Sequence, residues 1–409
     1  MNDIQRIIPS PDYDWLLARM VTNSHGFVFT GNPVILTNAQ NWPDFADKGL
    51  YSVRVNGVEV YTGHYNFPLT VDISEILDGY IKPPKIEMFI TDDEICTCPT
   101  DEAEIVLMYK RNPTIENYSE SNPVLLKPLA GGISRRAMKQ CAQKDIFDSR
   151  FLNRTGNFFM TSRTAENIII LKETELFPLA FICTDPDDVM NFVHEATGYE
   201  IQVSGFTVGI CGVNLTAIRR RFAESYNLFP SVLAIEYNGK RACNIVIEPA
   251  VPSHERYILT FRNSLGCFEQ IDFAGTGVII PVASEDDDAT YLSYDIEKGG
   301  FASNKLRSDT SLDLNVRLTP QRQITPLLLL DMLSSDEAYL SGNGLIFEKV
   351  ILGTDNLEIA MCSEKPETFS IKFTLAEPVS RFTQELLHTE ELKRQFPYLF
   401  SQKFSKMFN

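Results

Sequence analysis

The chain reads as a mainly β protein with a few helices, a β-rich α+β fold built from tandem sandwich-like domains. Three observations predict this. Short runs rich in Val, Ile, Leu, Phe and Tyr, bounded by Gly, Pro and Asn, recur from Phe27 to Leu375. Two Asn-Gly pairs, Asn56-Gly57 and Asn238-Gly239, sit between such runs. Both residue types accept positive φ, so each pair signals a two-residue hairpin. The pattern Phe-x-Asn-x-x-Gly-x-Phe occurs twice, over residues 151–158 and 261–268, and each copy reads as an aromatic-rich strand turning over. Together the recurrences predict an internal duplication, although hairpin and octapeptide are not in one register.

The elements follow in order. Residues 1–25, polar and broken by Pro9 and Pro11, are predicted to be an N-terminal arm. A first β-domain covers 26–110. There Phe27-Val28-Phe29 and Val34-Ile35-Leu36 flank Gly31-Asn32-Pro33, and Tyr51 to Val55 and Val58 to Tyr61 flank Asn56-Gly57. Ser74-Glu75-Ile76-Leu77 adds one helical turn, and a strand through Ile105-Val106-Leu107 completes the domain. Pro113, Pro123, Pro128 and Gly131-Gly132 mark 111–150 as a linker with a helix around 135–143.

A second β-rich module with inserted helices spans 151–283. Asp185-Pro186 is read as the cap and first residue of a helix over 187–196, and a second capped helix is expected over 214–226. A third β-rich unit covers 284–382, with strands at 311–318, 345–352, 357–361 and 369–375. Its helix at 326–333 carries Leu327-Leu328-Leu329-Leu330, a run expected to be wholly buried. Residues 383–409 read as a C-terminal amphipathic helix, with Pro397 set to kink it. Its stripe of Leu386, Leu387, Leu392, Phe396, Phe400 and Phe404 is the candidate interaction site, folded back or docked on another chain.

Composition narrows the function. At 409 residues, 44% hydrophobic and 22% charged, the chain is long and apolar enough to bury several cores. A net charge of −17 repels phosphate backbones and anionic lipid, which argues against nucleic-acid and membrane-surface partners. Arg135-Arg136 and Arg219-Arg220-Arg221 read as polar helix faces. No uncharged apolar run is long enough to span a bilayer. The start Met1-Asn2-Asp3-Ile4-Gln5-Arg6 lacks the charged-then-apolar order of a secretory signal, so synthesis in the cytoplasm without a signal peptide is expected. The eight scattered cysteines read as reduced core thiols.

No catalytic set emerges. The five histidines are far apart, and His194-Glu195 is followed by Gly198 where a zinc-protease helix needs its second His. There is no Gly-x-Ser-x-Gly elbow and no phosphate-binding Gly-x-x-x-x-Gly-Lys loop. Cys96-Thr97-Cys98 has the wrong gap for a zinc knuckle. The acidic runs Asp92-Asp93-Glu94 and Glu285-Asp286-Asp287-Asp288 lack the spacing of a calcium loop and read as solvated loops. The expectation is a non-enzymatic protein with no cofactor and no metal, whose partners are copies of itself or neighbouring subunits. The alternative is a glycan-binding module using Trp42, Tyr61, Tyr65 and Tyr80 as stacking surfaces.

Several stretches taken together carry a resemblance. They are Gly31-Asn32-Pro33-Val34, the Asn56-Gly57 hairpin, Val71 to Leu77, Tyr257 to Glu269, Leu330 to Leu340, and Phe347-Glu348-Lys349-Val350-Ile351. Their order is similar to that of uncharacterised β-rich proteins from prophage-like loci of gut Bacteroidetes. The resemblance implies a phage tail or baseplate component, located in a virion or tail-like particle. Its motifs are structural, so it transfers no functional residue.

Overall fold

The structure, a computed structural model, describes the chain except residues 1–5, 10–17, 21–24, 39–47, 67–68, 110–118, 121–122, 135–136, 138–145, 251–254, 276, 284–289, 296, 298, 306–309, 319–323, 343–344, 354–368 and 377–409. Two compact units emerge. The first comprises residues 1–171, 176–248 and 263–269, the second 172–175, 249–262 and 270–409. The expected mainly β architecture holds in both.

The first unit contains four sheets among the described residues. One includes Arg6–Pro9 and Ala18–Met20, so part of the expected arm is strand: Arg6 and Ile7 run parallel to Ile35 and Leu36. A larger sheet runs in the order Phe27–Phe29, Val124–Leu129, Ala103–Tyr109, Lys48–Val55, Val58–Asn66. The next runs Ile168–Lys172, Lys240–Glu248, Val232–Tyr237, Val189–His194, Tyr199–Ser204. The last holds Leu179–Cys183, Gly209–Val213 and Ile95–Cys98.

Both Asn-Gly hairpins form as expected, with φ of 50° and 77° at Asn56 and Gly57 and 47° and 71° at Asn238 and Gly239. The two turns are also locked alike. Asn56 N–H donates to Glu102 O at 2.8 Å, Glu102 N–H donates to Asn56 Oδ1 at 3.0 Å, and Asn56 Nδ2 donates to Asp101 Oδ1 at 2.8 Å. Asn238 repeats this with Val189 O at 2.9 Å, Val189 N–H at 2.8 Å and Asp188 Oδ1 at 2.6 Å. In each case the aspartate stands just ahead of the strand that pairs with the hairpin's first arm. That strand follows the first hairpin in the chain and precedes the second, so the shared lock comes in two chain orders.

The same lock explains a correction. The predicted helix over 187–196 is a turn followed by the strand Val189–His194. Val-Met-Asn-Phe-Val-His alternates, which buries Met190 and Phe192 on one face, and the strand pairs on both sides. Asp188 anchors the neighbouring strand instead of capping a helix: its Oδ2 accepts from Tyr237 Oη at 2.7 Å. The helix Leu215–Tyr226 does form. Asn214 caps it by accepting from Thr216 and Ala217 N–H, and Asn227 closes it at φ 52°. Leu215, Ile218 and Phe222 on its inner side join the unit's main core. Of the helix expected around 135–143, only Ala137 is described, and it is helical.

The two octapeptides share a turn and little else. In each, the Asn side chain accepts from the backbone N–H two residues on, at 3.1 Å from both Thr155 and Leu265. In each, the Gly N–H returns to the Asn carbonyl, from Gly156 at 3.4 Å and Gly266 at 2.9 Å. The second copy joins Arg256–Arg262 to Phe268–Ala274 as a hairpin. The first is no hairpin: it leaves the single π-helical turn Phe147–Phe151 and runs on as loop. The similarity ends at the turn.

The second unit is organised around a seven-stranded sheet. Its order is Phe268–Ala274, Arg256–Arg262, Ala338–Gly342, Leu345–Leu352, Phe369–Leu375, Thr310–Leu318, Gly277–Ala283. The helix Pro326–Leu333 covers one face, capped by Thr325 with Pro326 in its first turn. Its Leu328, Leu329 and Met332 meet Leu259, Phe261, Ile271, Leu314, Ile371 and Phe373. Leu327 and Leu330 are exposed, against expectation, because a helix on a sheet buries one side only. The strand expected at 357–361 and the stripe from Leu386 to Phe404 lie outside the described residues.

Candidate functional site

Most residues that stood out in the sequence are structural in the fold. Asp92-Asp93-Glu94 is a loop with Asp92 and Asp93 exposed, as expected, and Glu94 bound. Pairing of Ile95–Cys98 with Gly209–Val213 brings it beside the start of the Leu215–Tyr226 helix. There Arg221 bonds both Glu94 carboxylate oxygens at 2.8 and 3.0 Å, Arg220 donates to Asp92 O at 2.8 Å, and Asn214 Nδ2 donates to Thr91 O at 2.7 Å. The acidic run and the arginine run thus hold each other, and Arg219 is buried against Phe229. Glu285-Asp286-Asp287-Asp288 lies outside the described residues.

The six described cysteines are buried. Burial pushes the Cys96 and Cys98 thiols up to about 12, far from the reactive range. Hydrogen bonding between Cys183 and Cys211 pushes the first up and the second down. His194 Nδ1 lies 2.8 Å from Thr197 Oγ1 within its own turn. Among the described residues, no three His, Cys, Asp or Glu gather to hold a metal, and no helix is long and apolar enough to cross a membrane. Of the four stacking aromatics, Tyr61 and Tyr80 are exposed, Tyr65 is buried, and Trp42 lies outside the described residues.

Gly31, Gly131-Gly132 and the second octapeptide meet in a tight crossing in the first unit. Gly31 N–H donates to Gly131 O at 2.8 Å and Gly132 N–H to Ser264 O at 2.7 Å. A Cβ on Gly266, at φ 81°, would sit 2.1 Å from Ala130 O, so only glycine allows this approach. Asn263 ties the crossing to the segment after the first octapeptide, donating to Met160 O at 3.0 Å and Glu269 Oε1 at 2.6 Å. Asn263 and Glu269, the polar side chains that tie it, are buried.

The arrangement that does face outward is the second unit's sheet, on the face opposite the helix. At one end of that face polar groups are buried. Gln270 Nε2 donates to Thr260 Oγ1 at 3.0 Å, and Asp272 Oδ2 accepts from Thr174 Oγ1 at 2.5 Å and Arg256 at 2.7 Å. Glu175 accepts from Asp272 N–H at 2.8 Å and from Lys172 N–H at 3.1 Å. Burial holds the Asp272 carboxyl above its ordinary value, even against the donors Thr174 and Arg256.

At the other end, register sets Ile280, Asp313, Thr374 and Ile351 in one row across four strands. Here the apolar side chains are outside: Val278 is 59% exposed, Ile280 40% and Ile351 59%. Asp313 lies buried between them, accepting from Thr374 Oγ1 at 2.7 Å and pairing with Lys372 Nζ at 2.8 Å. Those bonds hold its carboxyl below the ordinary value.

The outer strand, Gly277–Ala283, is guarded against strand addition. Gly277 N–H is taken by Glu255 Oε2 at 2.7 Å, and Pro281, on the same side of the strand, has no N–H to give. Sequence reasoning missed this face because its apolar residues sit on two strands, Gly277–Ala283 and Leu345–Leu352, that only register across four strands sets in one row. No protein-family model matches the chain, and no curated protein matches its sequence.

Proposed function

We propose that the chain is a non-enzymatic structural subunit that assembles through its second unit, as a component of a phage tail or tail-like particle. The observation that carries this reading is the half-open sheet face, with Val278, Ile280 and Ile351 exposed over buried Asp313. Water favours the reverse order, so a face built this way gains free energy when a partner covers it. The guarded Gly277–Ala283 edge points to contact through side chains on the face rather than by an added strand. The order of structural motifs shared with phage tail-like proteins supports the same reading.

Solution mass tests it. Light scattering at several concentrations should find the full chain as an oligomer. A chain ending at Phe382 shows whether the stripe from Leu386 to Phe404 contributes, by a loss of mass. A full chain that stays monomeric at every concentration removes the self-assembly reading.

A further inference from the structure

The sealed polar end of the second unit's sheet brings an amine, a carboxyl and a base together. Lys172 closes the strand Ile168–Lys172 and is the one buried lysine among the described residues. Lysine seldom goes inside a protein, and a desolvated amine is the form that acts as a nucleophile. Asp272 is wholly buried on the strand Phe268–Ala274. Glu175, also buried, stands between them. One of its carboxylate oxygens accepts from the Lys172 N–H at 3.1 Å and the other from the Asp272 N–H at 2.8 Å. The two backbones are therefore held one carboxylate apart, and the Lys172 charge acts on the Asp272 carboxyl. All three residues belong to the same compact unit.

The rest of the cluster suits attack on the Asp272 carboxyl. Thr174 Oγ1 and Arg256 both donate to Asp272 Oδ2, at 2.5 and 2.7 Å. Donors fixed on one carboxyl oxygen stabilise the negative charge that gathers there when a nucleophile reaches the carbon. Burial keeps the carboxyl above its ordinary value, and its acid form carries the hydroxyl that can leave as water. A fold that holds both reactants in place also removes the entropy cost of their encounter.

We propose that Lys172 and Asp272 join in an isopeptide cross-link once the chain has folded, with Glu175 moving the proton. One proton first passes from the Lys172 ammonium to Asp272 Oδ1. Lys172 Nζ, now a neutral amine, attacks Asp272 Cγ, and the new Nζ–Cγ bond places negative charge on Oδ2. Glu175 takes a proton from Nζ and passes it to Oδ1. The Cγ–Oδ1 bond breaks and one water leaves. An ammonium and a carboxylate become one neutral amide, no oxidant or cofactor is consumed, and each chain reacts once. Asp272 is a titrating carboxyl only in the chain before this bond forms. The bond closes the long loop from Lys172 to Asp272 and constrains unfolding in the way of a disulfide, without depending on redox state.

The test is intact-mass spectrometry of the full chain, of Lys172→Arg and of Glu175→Gln, with a proteolytic digest of each. The unaltered chain should weigh one water less than its sequence. Its digest should contain a branched peptide joining Lys172 to Asp272. Lys172→Arg keeps a cation but no attacking amine, and it should show the full sequence mass and no branched peptide. Glu175→Gln should link roughly a hundredfold more slowly or worse, the scale of losing a general acid–base group.

A folded, unaltered chain that keeps its full sequence mass overturns the proposal. So does a loss of water that persists in Lys172→Arg, which places it in a succinimide at another aspartate. Linking at an unchanged rate in Glu175→Gln overturns the role given to Glu175. Far-UV circular dichroism checks folding. Lys172→Gln replaces Lys172→Arg if that variant fails it, and the branched peptide of the unaltered chain decides in either case. The cross-link lies within one chain, so it stands or falls separately from the assembly reading that light scattering tests.

Discussion

The two ends of one sheet face in the second unit treat water in opposite ways. At the Arg256–Arg262 end, Asp272, Gln270 and Thr260 are buried and bonded to each other or to Thr174, Glu175 and Arg256. At the Gly277–Ala283 end, Val278, Ile280 and Ile351 are exposed. Strand composition already differs, since Gly277–Ala283 carries no polar side chain and Phe268–Ala274 carries Glu269, Gln270 and Asp272, but composition does not say which groups water reaches. What separates them is cover: the residue 172–175 segment seals the polar end and bonds its charges, while nothing among the described residues seals the other. The lesson is that a sealed polar cluster belongs to stability, and an unsealed apolar one to partners.

Four substitutions sharpen or break this contrast. The largest effect is expected from Asp272→Ala, which strips the half-buried Arg256 and Thr174 of their shared acceptor. A loss of about 1–3 kcal/mol in chemical denaturation is the scale for leaving such donors without their acceptor. A loss below about 1 kcal/mol would show that the polar end is not sealed in solution.

The two aspartates should next show opposite pH dependence. Burial raises the Asp272 pKa in the folded state. Its stabilising contribution is therefore complete below the unfolded value and fades as pH rises through the raised one. Hydrogen bonds from Lys372 and Thr374 lower the Asp313 pKa. Its contribution is present above the unfolded value and fades as pH falls through the lowered one. Unfolding free energy measured across acidic pH should therefore change slope in opposite directions for Asp272→Asn and Asp313→Asn. Slopes of the same sign would undo the contrast.

The smallest effect is expected from Ile351→Thr. An exposed strand residue outside the core should move stability by no more than about 0.5 kcal/mol while still weakening association. A cost of about 2 kcal/mol or more would mean that Ile351 is already covered in the single chain.

Much of the fold was legible because its causes are local. Asn56-Gly57 and Asn238-Gly239 turn where expected, since positive φ is a property of those two residues. The caps at Asn214 and Thr325 start their helices for the same kind of reason. Failures came where a side chain's role depends on a distant partner. Asp185-Pro186-Asp187-Asp188 looks like a helix start, but Tyr237 and Asn238 claim Asp188 for a strand, 49 and 50 residues away. Asp92 and Asp93 are exposed in a loop and Arg220 lies on an exposed helix position, as expected, but the buried Arg219 and the Arg221–Glu94 pair, 127 residues apart, were not legible.

The sequence by itself therefore determined the β-rich class, the two Asn-Gly turns, the shared turn of the two octapeptides, the capped helix over 214–226 and the helix over 326–333. Each of these follows from φ preference, capping or periodicity within a few residues. Only the tertiary structure decided which carboxylates are buried, which leucines of the Pro326–Leu333 helix face out, and that Ile280 and Ile351 share one row. Those depend on register across strands and on what covers a face. A residue's chemistry permits such a position, but burial, unlike φ, is conferred by neighbours that the local sequence does not contain.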